Sequence, residues 1–257
     1  MPDLPIRIYP HVVNIVFVFL GWGTGIIVNY LADVLPIIWG HFNRMKIENG
    51  SPLDFFDYAF CRRQITKPDK FHSVRICAVN VLYVSASLWL WYNRLPPIDY
   101  ALFLLLLFFL GLVFIIDMEH RLIFHKLSIL GFILGLIIGI KLNGLISTLV
   151  GGLFGFIFVL IIFLFGGLVM KQVARLREVT IYKDALGFGD VLLSCILGLI
   201  LGWPTILSGL LLAAILAGIT SSVILMIRFI NKDYHPNLTM PYGPFLVTSA
   251  IALKLTG

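Results

Sequence analysis

Charge is what this chain has least of. Asp, Glu, Lys and Arg make up 12% of its 257 residues and apolar types 60%, against roughly 25% charged and 45–50% apolar in soluble domains. That shortage excludes an ordinary soluble domain. Cysteine is scarcer still. Cys61, Cys77 and Cys195 form no CxxC pair and no Cys/His metal spacing, which argues against a disulfide framework or a zinc module. The expectation is three free thiols and no metal site. Negative charge is the rarer sign, with 13 acidic residues against 19 basic ones and a net charge of +6. In a chain this apolar, surplus Lys and Arg marks loops on the inner side of a membrane. The expected partner is therefore a lipid bilayer, with no nucleic acid.

Long apolar runs take the place of what is missing. About 20 residues carry a helix across the hydrocarbon core, and eight runs fit: 11–32, 74–92, 98–116, 122–140, 145–169, 190–203, 204–227 and 242–256. The pattern predicts an all-α polytopic membrane protein with about eight transmembrane helices. The sixth run is short and ends at Trp203-Pro204, so it either begins earlier or stops short of spanning. With the N-terminus outside, 15 of the 19 basic residues fall in inner loops, and only Arg7, Arg94, Lys141 and Lys254 fall outside. That bias predicts an N-out, C-out arrangement. The longest polar stretch, 33–73, becomes a cytoplasmic loop subdomain after the first helix, with Phe55, Phe56, Tyr58 and Phe60 at its centre. The chain divides into residues 1–95, the first two helices with that loop, and residues 96–257.

With so few acids, two stand out. Asp117 closes the run 98–116, and Asp190 opens another behind Gly187-Phe188-Gly189. A charged carboxylate inside a membrane costs about 2.5 kcal/mol or more unless it is paired. The charge map puts both on the inner face, although neither was used to draw it. Two carboxylates about 3 Å apart cannot both ionise, so they share a proton. One can then take a proton from water while the other donates to a peptide carbonyl, giving hydrolysis by general acid–base catalysis without a metal or a covalent intermediate. Two other readings stand beside this one. Asp190 suits a helix N-terminus as a simple cap, and paired intramembrane carboxylates also serve ion- or proton-coupled transporters. Ser194 and Cys195 lie one turn beyond Asp190 without a His placed to activate them. His120 and His125 near Asp117 read as interfacial side chains. Glu119 and Asp184 flank the pair.

Four ordered stretches resemble the type IV prepilin peptidases, intramembrane aspartyl proteases with a Gly-x-Gly-Asp motif. They are Gly25-Ile26-Ile27-Val28-Asn29 with Leu35-Pro36; Ile116-Asp117-Met118-Glu119-His120-Arg121; Asp184-Ala185-Leu186-Gly187-Phe188-Gly189-Asp190 with Leu197-Gly198 and Leu201-Gly202-Trp203; and Pro241-Tyr242-Gly243-Pro244-Phe245. The resemblance implies Asp117 and Asp190 as the catalytic pair. It implies Gly187, Gly189, Pro241, Gly243 and Pro244 as its support. For Glu119 and Asp184 two readings stand side by side: receiving the basic leader, or plain loop charges. It further implies prepilins or pseudopilins as substrates, cleaved at the cytoplasmic face of the bacterial inner membrane. No cofactor is implied for proteolysis. Many members also methylate the new N-terminus from S-adenosylmethionine, using the N-terminal part. There the chain departs from the family: the two CxxC pairs are missing, Val34 stands where Arg is usual before Leu-Pro, and Asn80 stands where Glu is usual. Two further departures are Ile123-Phe124-His125 in place of Ile-Pro-Asp or Ile-Pro-Asn, and Leu192 in place of Lys.

Overall fold

The computed structural model describes residues 10–39, 70–93, 96–121, 123–177, 187–231 and 241–256, and every regular element in them is a helix. They are α1 (Pro10–Ile38), α2 (Lys70–Tyr92), α3 (Pro97–His120), α4 (His125–Asn143), α5 (Leu145–Arg177), α6 (Phe188–Leu201), α7 (Thr205–Ile230) and α8 (Gly243–Thr256). Each apolar run becomes one helix, as the pattern predicts. In a hydrocarbon slab the backbone has no water to bond to, and only a helix satisfies its own groups.

Six of the eight, α1 to α5 and α7, are long and apolar enough to cross a membrane. The sixth and last runs form shorter apolar helices. α6 and α8 have 14 residues each, about 21 Å of rise against a core of about 30 Å. The sixth run starts only two residues earlier than expected. The loops are shorter than their polar composition implies: α1 runs on to Ile38, α2 starts at Lys70, and α5 continues two turns past its apolar run to Arg177. Phe55, Phe56, Tyr58 and Phe60 lie outside the described residues.

The chain forms two compact units, Met1–Leu112 and Val113–Gly257, with the boundary inside α3. In the first unit α1 packs on α2. Asn29, fully buried, donates to the Gly25 carbonyl at 3.0 Å and to Asn80 Oδ1 at 3.4 Å. Toward the same end, Arg75 and Asp33 pair at 3.0 Å. At the other end Ser87 donates to the Phe17 carbonyl at 2.6 Å, and Phe17 stacks on Trp91.

In the second unit α6 is the hub. It packs against α4, α5, α7 and α8, and ten of its 14 residues are buried. It can sit so deep because its neighbours come very close. A Cβ on Gly198 would strike the Gly151 carbonyl, and one on Gly152 would lie 2.5 Å from Leu199 Cδ2. Small residues let helix backbones approach where no hydrophobic force operates between helices. The turns that return the chain use Gly144 and Gly202 at φ 79° and 72°, values that a side chain resists.

Candidate active site

Asp117 sits in the last turn of α3, and 5% of its surface is exposed. The helix ends there because Arg121 adopts φ 53° while its N–H still reaches the Asp117 carbonyl at 2.9 Å. A carboxylate at a helix C-terminus faces the negative end of the macrodipole. Compensation comes from outside the helix. The start of α8 lies against the carboxylate at Gly243, and the Arg121 charge acts on it. Asp117 Oδ2 is buried and has no hydrogen-bond partner among the described residues.

Asp190 is in the opposite situation. It is the third residue of α6, 8% exposed, at the positive end of a helix. Gly187 takes the N-cap position with φ −79° and ψ 144°. Its N–H donates to Asp190 Oδ2 at 3.2 Å, and its carbonyl accepts from the Asp190 N–H at 3.0 Å. The two carboxylates, one from a helix end and one from a helix start, are close enough for the Asp117 charge to act on Asp190. The fold thus brings together two acids 73 positions apart in the sequence.

Three contacts hold that juxtaposition. A Cβ on Gly243 would collide with Asp117 Oδ2 and lie 3.5 Å from Leu193 Cδ2, so the start of α8 presses between the Asp117 and Asp190 helices. A Cβ on Gly189 would lie 2.7 Å from Ile123 Cβ, so the strand of chain leaving Asp117 rests on the residue before Asp190. At Gly187 a Cβ would meet nothing nearer than Asp190 Oδ2 at 3.5 Å; that position has room. Pro244 is buried in the first turn of α8, where its missing N–H costs nothing. Pro241 is half-buried just before it. The Tyr242 carbonyl accepts from the Phe245 and Leu246 N–H groups at 3.1 and 3.3 Å.

Of the residues singled out in the sequence, Asp117, Asp190, Gly187, Gly189, Gly243 and Pro244 converge here. Glu119 is exposed on the last turn of α3, and Asp184 lies outside the described residues. Ser194 spends its hydroxyl on the Asp190 carbonyl at 2.7 Å. His125, Leu192 and Cys195 turn elsewhere. With Phe132, Leu153 and Leu199 they line a cavity of about 620 Å³ between α4, α5 and α6, and at 3.6 residues per turn Leu192 and Leu199 point away from the Asp190 face. Phe124, 5% exposed, is the N-cap residue of α4 with φ −73° and ψ 133°, a φ that a proline ring at the same position would also fix. Of the neighbours Ile123, Leu193 and Tyr242, the sequence reading gave no role to the first two and set Tyr242 near the pair only as part of the Pro241-Tyr242-Gly243-Pro244 motif. Burial first, and then the Asp190 charge, pushes the Tyr242 phenol above its usual value. Only the third of these carried a signal, a phenol directly before Gly243.

Residues 104–222 match the type IV leader peptidase family, which bears out the resemblance read from the motifs. The matched segment contains both aspartates. No curated protein and no solved structure matches the chain.

Proposed function

We propose, taking the type IV leader peptidase match over residues 104–222 as premise, that this multi-pass membrane protein is an aspartic peptidase in which Asp117 and Asp190 act as one acid–base pair. The observation that carries the reading is the pair itself: two carboxylates, nearly buried and interacting, inside the matched segment. At close range they hold one proton between them, and the pair titrates as a unit. The ionised oxygen takes a proton from water, and the hydroxide so formed attacks the scissile carbonyl carbon. The protonated carboxyl gives its proton to the carbonyl oxygen. The tetrahedral species collapses as the pair returns a proton to the departing amine, and the C–N bond breaks. Asp117 Oδ2, an acceptor without a partner among the described residues, suits the attacking water. Gly243 holds α8 against Asp117 at contact distance. A transporter function gains nothing from the family match.

In this reading the substrates are prepilins or pseudopilins, each with a short basic leader ahead of a hydrophobic helix. Glu119 and Asp184 meet the leader's basic residues. The distribution of Lys and Arg supports a site at the cytoplasmic face of a bacterial inner membrane, with both termini outside. Methylation of the new N-terminus is a separate matter. In the first unit the Asn29 amide N–H groups go to Gly25 and Asn80 while its buried Oδ1 has no partner among the described residues, and Asp33 is paired with Arg75. No step is derived through that cofactor.

The deciding experiment is co-expression of a prepilin with the wild type and with Asp117→Ala and Asp190→Ala. The wild type is expected to remove the leader. Each variant is expected to reach the membrane at normal level and leave the leader intact. Normal cleavage by either variant overturns the assignment.

A further inference from the structure

The two short helices that begin at the site also end together. At the far end of the second unit, Asn143 closes α4. Its side-chain N–H donates to the Ile200 carbonyl at 2.8 Å, and its Oδ1 accepts from Lys254 Nζ at 3.1 Å. Ile200 lies in the last turn of α6 and Lys254 in the last turn of α8. One amide therefore joins the ends of α4, α6 and α8. Beside it, Ser147 donates to the Trp203 carbonyl at 2.8 Å, and the Trp203 N–H donates back to the Ser147 carbonyl at 3.0 Å. Gly202 is packed against both side chains: a Cβ there would lie 2.7 Å from Ser147 Oγ and 3.0 Å from Asn143 Cβ.

The chemistry explains why such a knot exists. The last carbonyls of a helix have no partner within it, and in apolar surroundings an unpaired one is costly. Asn143 caps one such carbonyl of α6. That leaves its own oxygen in need of a donor, which Lys254 supplies. The ammonium also lies at the C-terminal end of α8, where the helix dipole favours a cation. Lysines near helix ends can instead extend to water and do nothing else.

The consequence reaches the opposite ends of the same helices. α8 packs on α6, and its first residue, Gly243, is wedged between Asp117 and Leu193. A slide or rotation of α8 along α6 would move Gly243 off Asp117 and Leu193. We propose that Lys254 and Asn143 are positioning residues for the aspartate pair, setting the register of α8 against α6 from the far side of the fold. This rests on the peptidase reading above, because it gives that register a catalytic consequence.

The test compares Lys254→Met, Lys254→Arg and Asn143→Ala with the wild type, all in full-length membrane-embedded protein. Lys254→Met and Asn143→Ala are expected to lower kcat by between about ten- and a hundredfold, the scale of an approximately 1 Å misplacement. KM should stay unchanged and the pH–rate profile should shift. Lys254→Arg, which keeps a donor at the end of the side chain, restores the wild-type profile. Hydrogen exchange supplies a readout that needs no activity. In Lys254→Met, residues 241–247 exchange faster while α1 and α2 do not. An unchanged pH profile with reduced amplitude, faster exchange throughout the chain, or wild-type exchange in residues 241–247 overturns the proposal. If the wild type itself cleaves no prepilin, the peptidase reading falls, and with it the catalytic role given to Lys254 and Asn143.

Discussion

At the scale of single residues, the site separates positions that need glycine from one that only resembles them. Gly187 and Gly189 belong to the same four-residue motif, yet only Gly189 has another segment against it, at Ile123. Gly187→Ala is therefore expected to retain cleavage within about threefold, since the new methyl makes ordinary contact and φ is unstrained. Gly189→Ala and Gly243→Ala overpack against the side chains of Ile123 and Asp117, at about 1–3 kcal/mol, and displace the carboxylates, so both are expected to lose most cleavage. Initial rates on one prepilin, normalised to membrane-inserted enzyme, check the order. Equal losses at positions 187 and 189 would show that the motif works by some other means than close approach. Ser194→Ala offers a control. Its hydroxyl bonds a backbone carbonyl of its own helix, so removing it is expected to change stability by about 1 kcal/mol and leave the cleavage reaction in place. Loss of all activity in that variant would reopen the case for a nucleophile.

At the scale of elements, α6 matters because it is short, central and closely packed. Gly198 meets Gly151 backbone to backbone, so Gly198→Leu is expected to push α5 away from α6 and destabilise the second unit by about 1–3 kcal/mol or more. Thermal unfolding in detergent measures this, and a melting temperature equal to wild type would contradict the packing described. The aspartates occupy opposite helix ends, one disfavoured by the macrodipole and one favoured by it. Their protonation is nevertheless a property of the pair. Activity should follow a bell in pH. On the acid side both carboxyls are protonated and no base remains. On the alkaline side both are ionised and no proton donor remains. A profile with a single limb would exclude a shared-proton mechanism.

At the scale of the whole molecule, the six long helices settle the polytopic class. Sidedness is open to direct test. Cysteines introduced at 44 and 232 should label only from the cytoplasmic side, and one introduced at 7 only from the outside. Labelling of 232 from outside would invert the second unit. Cleavage should also survive chelation, because the proposed chemistry asks for no cation; loss with EDTA and recovery with Zn²⁺ would point to a metalloprotease. Much of this was legible in the chain itself. Eight helices follow from eight apolar runs, because in hydrocarbon a helix satisfies its own backbone and needs no partner to be inferred. Asp117 and Asp190 stand out because charge is rare there and each must be compensated. Sequence alone left the length of the short helices unresolved, because length across a membrane depends on where the helix ends. Those ends are set by Arg121, Gly187, Gly202 and the turn before Gly243, and Gly202 is packed against the distant Asn143 and Ser147. The contact of Gly243 with Asp117, that of Gly189 with Ile123, and the Asn143 joint between Ile200 and Lys254 were decided only by tertiary structure. Each is a close approach between segments far apart in the chain, and no local pattern encodes which neighbour a glycine or an asparagine will meet.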